Sequence, residues 1–303
     1  MNVYYANPIY DVVFKYLMED NRIAKILISA LLKKNVVNLE MRPHEYSSAI
    51  EGRVRIFRID FAATIREDNG DEHLVLVELQ KTWRPTETLR FRQYLGIQYG
   101  NPKNVGTEND GQALPIVSIY LLGHKVGDLK EPIVYVKRQY LDYDSNEIHE
   151  GVPNQFIESL THDSIIVQIP YLKGKTRNHL ERLLSFFDQS AATDNPHVLQ
   201  MEDNLTNDCD DMERILNRLV RAIADPVVSH NMNIEDEILS ELEKMDTDIC
   251  AQKRKLEEQE QKLGEQEQSL KLAVKLFAQN GLDAKQIASS LGLTEDRVME
   301  YMK

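Results

Sequence analysis

Two apolar runs, Ile56–Ile65 and Leu74–Leu79, flank Asn69-Gly70. Apolar runs on either side of an Asn-Gly pair predict a β-hairpin. A two-residue turn at Asn69-Gly70 sets Asp60 opposite Leu79 and leaves Asp60 and Glu78 on different faces. A three-residue loop, Asp68-Asn69-Gly70 with Gly70 left-handed, sets Asp60 opposite Glu78 instead. That register stacks Ala62 and Thr64 on Leu76 and Leu74, and Phe61 and Ala63 beside Val77 and Val75. Both faces are then apolar apart from the acids, which predicts cover on both sides of the hairpin.

Upstream, Pro8–Leu32 has helical periodicity, with Ile9, Val12, Val13, Tyr16 and Leu17 on one stripe and Pro8 suited to a first helical position. Asp20-Asn21 breaks it, and Arg22–Leu32 forms a second helix. Residues 36–55 read as a strand, Val36–Met41, and an irregular loop. After the hairpin a helix starts near Pro85 and ends at Tyr99, before Gly100-Asn101-Pro102. Leu114–Leu122 has the length and continuity of a buried strand. Pro132–Tyr143 and Ser164–Tyr171 read as strands, Asn178–Phe187 as a helix, and 189–210 as a loop or linker. Asp211–Ala224 is a helix with Met212, Ile215, Leu216, Leu219 and Ile223 on one side.

The tail has a different period. Leu242, Ile249, Leu256, Leu263, Leu270 and Phe277 recur every seven residues, with Met245, Gln252, Gln259, Gln266 and Ala273 as companions. This is a heptad seam, half of it polar and interrupted by Gly264. It suits either self-association or a long solvated helix packed on its own domain. Ala273–Lys303 then reads helix, stop at Asn280-Gly281, helix, stop at Gly292, and a short helix entered by Thr294. The pattern is similar to a helix-turn-helix, but Glu295, Asp296 and Glu300 on the last helix favour packing over DNA reading.

The 303 residues suffice for one sizeable core and an appendage, and the hydrophobic content of 42% is ordinary. No run approaches the roughly 18 apolar residues of a membrane span. No secretory signal is evident, and two cysteines without CxxC spacing argue against a disulfide framework or zinc site, so a cytoplasmic location is expected. His124, His149, His162 and His179 lack ligand spacing and read as surface or hydrogen-bonded side chains. The net charge of −13 opposes indiscriminate nucleic-acid binding. A local site remains open: Arg53, Arg55 and Arg58 precede Asp60, and Lys81, Arg84, Arg90, Arg92 and Lys103 follow Glu78. The same charges also serve solubility.

Asp60 and Glu78 carry the candidate chemistry. Each alone reads as an edge or loop acid in water. Directly opposed, their Cβ atoms lie roughly 4.5–5.5 Å apart. Two carboxylates so placed in a half-dry sheet repel and lose hydration, a liability that a divalent cation removes. Asp11, on the first helix, is either a third acid of that site or a first-turn residue favoured by the helix dipole. No Walker loop or GxGxxG follows a strand.

The order of Asn7-Pro8-Ile9-Tyr10-Asp11-Val12-Val13-Phe14-Lys15, Ile59-Asp60, Val77-Glu78-Leu79-Gln80, Arg92-Gln93-Tyr94 and Pro115-Ile116-Val117-Ser118-Ile119 resembles the PD-(D/E)XK nuclease superfamily. It is most similar to the Rpn-type branch of recombination-promoting nucleases and transposase-like proteins, over roughly residues 7–190. The resemblance implies an α/β fold with a restriction-endonuclease-like αβββαβ core, its mixed sheet flanked by helices. A C-terminal coiled-coil helix and a small helical tail follow. It implies a nuclease-like domain at 1–190, a linker and helix at 191–233, and the heptad helix and tail at 234–303.

The resemblance further implies Asp60 and Glu78 as ligands of Mg²⁺ (or Mn²⁺), Asp11 as an auxiliary acid and Gln80 in the place of the superfamily lysine. Gln80 orients a water but supplies no positive charge. Lys81 falls on the other face of a regular strand and substitutes poorly. DNA is the implied substrate; the cation clusters offer Arg58, Lys81, Arg84, Arg90 and Arg92 as contacts, and the heptad seam suggests a homo-oligomer joined by the C-terminal helix. Two classes of function stand side by side. One is a metal-dependent DNA endonuclease, linked by resemblance to mobile elements or phage defence. The other is an inactive nuclease-fold adaptor acting by oligomerisation and protein or DNA binding.

Overall fold

The computed structural model describes all residues except 1, 43–44, 51–52, 59, 83–84, 106–112, 203–208 and 303; for 45–50, 53–58, 85–90 and 246 it describes the backbone alone. The chain divides into two compact units, Met1–Glu235 and Asp236–Lys303.

The first unit opens with strand β1 (Asn2–Ala6) and a turn built on Asn7, whose Oδ1 accepts the Ile9 N–H. Helix α1 (Asp11–Met18) starts after that turn, so Pro8 lies outside the helix. Asp20 ends the first helical run as expected: its carboxylate accepts the N–H groups of Arg22 and Ile23 and so caps α2 (Asn21–Leu32). Strand β2 (Val36–Met41) follows. The irregular loop expected next is a hairpin, β3 (Glu45–Ile50) with β4 (Arg53–Arg58), forming a two-stranded sheet of its own.

The single run expected from Ile56 to Ile65 is therefore two strands, divided at Asp60, where the backbone bends. Beyond it β5 (Phe61–Glu67) pairs antiparallel with β6 (Glu72–Gln80) in the register of the three-residue loop, Phe61 opposite Val77 and Thr64 opposite Leu74. Glu67 and Asp71 close the loop through a 2.9 Å backbone hydrogen bond, and Gly70 takes φ +92°. The left-handed residue is a glycine because side-chain-bearing residues rarely adopt this φ, although nothing lies within 4 Å of where its Cβ would be.

Helix α3 (Pro85–Tyr99) leads to β7 (Ile116–Leu122), parallel to β6. Strand β8 (Ile133–Val136) is shorter than the run Pro132–Tyr143 suggests. Helix α4 (Gln155–Leu160) and β9 (His162–Gln168) complete a six-stranded mixed sheet of order β2-β5-β6-β7-β9-β8. Odd-numbered residues of β5 and β6 (Phe61, Ala63, Val75, Val77) join the core containing α1 and α2; even-numbered ones (Ala62, Leu74, Leu76) pack under Phe91, Tyr94 and Leu95 of α3. Both faces of the hairpin are covered, as the two apolar faces predict.

Residues 191–233, expected as a linker and a helix, belong to the first unit. Helix α5 (His179–Leu184) is followed by β10 (Val198–Glu202), which pairs antiparallel with β1. Helix α6 (Asp210–Ala224) buries Met212, Ile215, Leu216 and Leu219 in the main core. Non-local pairing of this kind leaves no local sequence signal, which is why polar residues around it suggest a loop.

Helix α7 (Pro226–Gln279) begins in the first unit, where Val228 and Met232 are buried, and continues through the second. Gly264 does not interrupt it. In the second unit the end of α7, α8 (Ala284–Leu291) and α9 (Glu295–Met302) enclose Val274, Ile287, Val298 and Tyr301. Asp283 and Gln286 form a capping box at α8, and Gly292 ends it at φ +65°. Among the described residues no helix is long and apolar enough to cross a membrane.

Candidate active site

Strands β6, β7 and β9 run in parallel, and Asp60, Glu78 and Gln80 lie at the end where β6 finishes. In open α/β sheets the carboxyl ends of parallel strands are where ligands gather. The paired register ends at Phe61–Val77, one residue short of Asp60, whose charge interacts with that of Glu78. Glu78 is buried and shares the sheet face of Leu76 and Tyr120. Because Asp60 sits on the bend, its side chain meets more than the strand beside it. Its Oδ2 accepts the Leu79 N–H at 2.6 Å, and its Oδ1 is 3.8 Å from Lys15 Nζ on α1. Lys15 in turn holds Asp11 at 2.6 Å.

The electrostatics follow from this geometry. Burial holds the Asp60 carboxyl well above the ordinary aspartate range, and the charges of Glu78 and Asp11 push it further. Lys15 and the Leu79 N–H oppose the rise without cancelling it. One oxygen of Asp11, Oδ1, is buried with no hydrogen-bond partner, while the Asp11 backbone N–H donates to Glu235 at 3.0 Å. The partnerless Asp11 Oδ1 and a carboxyl that resists ionisation thus lie together at this end of the sheet, a pattern that marks functional sites.

Lys15 is the functional candidate that the hairpin pattern does not reveal. Its signal is local: Asp11 and Lys15 stand four apart, so a helix brings them to one face. Lys81 behaves as strand alternation requires, its Nζ lying 3.5 Å from the ring centroid of Tyr10. Gln80 is half-buried at the last position of β6. Of the candidate DNA contacts, Arg92 is exposed on α3, whereas Arg84 and the side chains of Arg58 and Arg90 lie outside the described residues.

Gly123 joins the strand ends. Its N–H donates to the Gln80 carbonyl at 2.8 Å, and a Cβ there would sit 2.3 Å from the Lys81 carbonyl oxygen. Only glycine allows β6 and β7 to approach this closely. The next residue, His124, departs from the expected surface or hydrogen-bonded histidine: both ring nitrogens are buried without a hydrogen-bond partner, and burial lowers its pKa. His162 and His179 do have partners, Tyr99 at 2.8 Å and Asp211 at 3.4 Å, and His149 is exposed.

The donor set suits Mg²⁺, which takes one or two carboxylates and keeps water or phosphate oxygens for its remaining positions. Among the described residues, no group of three or more His, Cys, Asp or Glu is arranged to hold a metal ion. Asp11 is engaged by Lys15.

A second cleft, of about 430 Å³, opens at the opposite end of the sheet between Glu67, His73, Tyr135, Arg138 and Asp163. Its charges are matched internally. Lys34 lies 2.9 Å from Glu67, Arg66 lies 2.8 Å from Glu72, and Arg138 binds both Glu158 and Asp163.

Comparison of the chain with protein-family models, curated proteins and solved structures finds no match.

Proposed function

We propose that the first unit is a divalent-metal-dependent endodeoxyribonuclease of the PD-(D/E)XK type. The observation that carries the reading is the placement of Asp60, whose carboxylate accepts the N–H of Leu79 next to Glu78, held against ionisation by burial and by its acidic neighbours. The order of elements supports it: a leading helix, three antiparallel strands (β2, β5, β6), helix α3, and β7 parallel to β6.

In this reading Asp60 and Glu78 hold the metal, and DNA lies along the strand ends. Bound there, Mg²⁺ lowers the pKa of a coordinated water and polarises the phosphodiester. Gln80, on the face of Glu78, orients the attacking water through its amide. Lys15 supplies positive charge that Gln80 lacks, and Asp11 positions Lys15. Arg92 and the other cations near the hairpin contact the DNA backbone and fix its register.

A plasmid-nicking assay with Mg²⁺ or Mn²⁺ tests the proposal. Asp60→Ala and Glu78→Ala each abolish nicking; activity surviving both substitutions ends the nuclease reading. The adaptor reading draws its support from Gln80 and from Lys15 standing beside Asp11 and Asp60. Calorimetric titration of wild type and Glu78→Gln with Mg²⁺ separates the two, since an adaptor binds no ion at this pair.

A further inference from the structure

The seam of α7 is exposed along the second unit. Met245, Ile249, Leu256 and Leu263 are 53%, 60%, 56% and 68% exposed, whereas Leu270 packs in the small helical core. Within the second unit, the stripe up to Leu263 is therefore uncovered. Large apolar side chains recurring every seven residues and left in water mark a surface that another helix covers.

We infer that this stripe pairs with the same stripe of a second copy, as a parallel, in-register, two-stranded coiled coil over about residues 242–270. The sequence of layers sets the direction. Leu242, Ile249, Leu256 and Leu263 occupy one seam position, and Gln252, Gln259 and Gln266 the other. Parallel helices stack like on like, giving apolar layers alternating with Gln–Gln layers whose amides hydrogen-bond each other. Antiparallel helices oppose the two positions and bury each glutamine against a leucine or isoleucine, leaving its amide unsatisfied.

The flanking charges set the register. In register, Asp248 of one copy meets Lys253 of the other, and Lys255 meets Glu260. Lys262 faces Glu267 in the same way, although Lys271 already lies 3.2 Å from Glu267 within the chain. Sliding one helix by a heptad brings Asp248 against Glu260 and Lys255 against Lys253. Gly264 falls outside the seam, and nothing lies within 4 Å of where its Cβ would be. This inference is independent of the catalytic reading.

The test uses the full chain in light scattering and mild-oxidation cross-linking, with Cys209 and Cys250 replaced by serine. Wild type runs at twice the 35.0 kDa chain mass, and Leu256→Asp with Leu263→Asp halves it. Met245→Cys and Gln266→Cys, introduced separately, each form an intermolecular disulfide. These positions are about 32 Å apart along the helix, so an antiparallel pair cannot close both. Lys255→Glu weakens association at least tenfold, and adding Glu260→Lys restores it. A monomer at 50 μM or so, a larger assembly, or closure at only one of the two cysteines overturns the inference. Circular dichroism of the aspartate variant matching wild type in dilute solution separates lost pairing from misfolding, and a collapsed spectrum transfers the decision to the cysteine pair.

Discussion

The two ends of the six-stranded sheet both carry buried carboxylates, and they treat them differently. Around the cleft, Glu67 has Lys34, Glu72 has Arg66, and Arg138 joins Glu158 to Asp163. At the other end Asp60 faces Glu78 and Asp11, with Lys15 shared between Asp11 and Asp60. Charge at the first end is neutralised in place, which is how a fold keeps acids in its interior. At the second end the Asp60 carboxyl is held above its ordinary range by burial and by Glu78 and Asp11, a cost that a bound cation would remove. A buried acid alone is weak evidence of function; its electrostatic balance with its neighbours carries more.

The largest test of this contrast is activity. Glu78→Ala lowers metal-dependent nicking by about 100-fold or more, the scale of losing a group that stabilises transition-state charge. Glu67→Gln, in protein that remains folded, leaves nicking near wild type.

Stability separates the ends by sign. Glu67→Gln breaks a matched pair and lowers unfolding free energy by about 1–3 kcal/mol, a range reduced because Lys34 is half exposed. Asp60→Asn raises it by about 1–2 kcal/mol in metal-free buffer, since the amide still accepts the Leu79 N–H and no longer buries charge. Denaturant unfolding measures both. Equal destabilisation at the two ends would remove the distinction. Gly123→Ala, which drives a Cβ into the Lys81 carbonyl, costs about 1–3 kcal/mol and disturbs the end of β6 rather than the cleft.

A smaller effect is read through pH. The Asp60 carboxyl is raised in the folded protein above its ordinary value of 3.8, so the native state holds that proton to higher pH than the unfolded chain does. Its contribution is fully favourable below the ordinary value and is lost as pH climbs through the raised one. The stability gap between wild type and Asp60→Asn therefore vanishes at low pH and widens upward. Mg²⁺ affinity rises across the same window, because the ion displaces the proton. Lys15→Met moves that window to higher pH, as Lys15 is what lowers the Asp60 value. A pH-independent Mg²⁺ affinity would place the ion elsewhere.

Local chemistry determined much of this protein. The Asp20 break, the Asp68-Asn69-Gly70 loop and the alternation of β5 and β6 follow from short-range patterns, and the loop sets the register that runs to Phe61 opposite Val77. Heptad spacing marked α7, and glycines at 281 and 292 marked the ends of α7 and α8. The partnership of β1 with β10 had no such signal, because it joins segments nearly two hundred residues apart through backbone hydrogen bonds that any side chains permit. Nor did the bend at Asp60, which brings a strand acid to Lys15 on a helix 45 positions earlier. Which carboxylates meet a cation and which meet another acid depends on distances across elements. Periodicity reports the face a side chain takes; only the packed chain decides which charges it meets there.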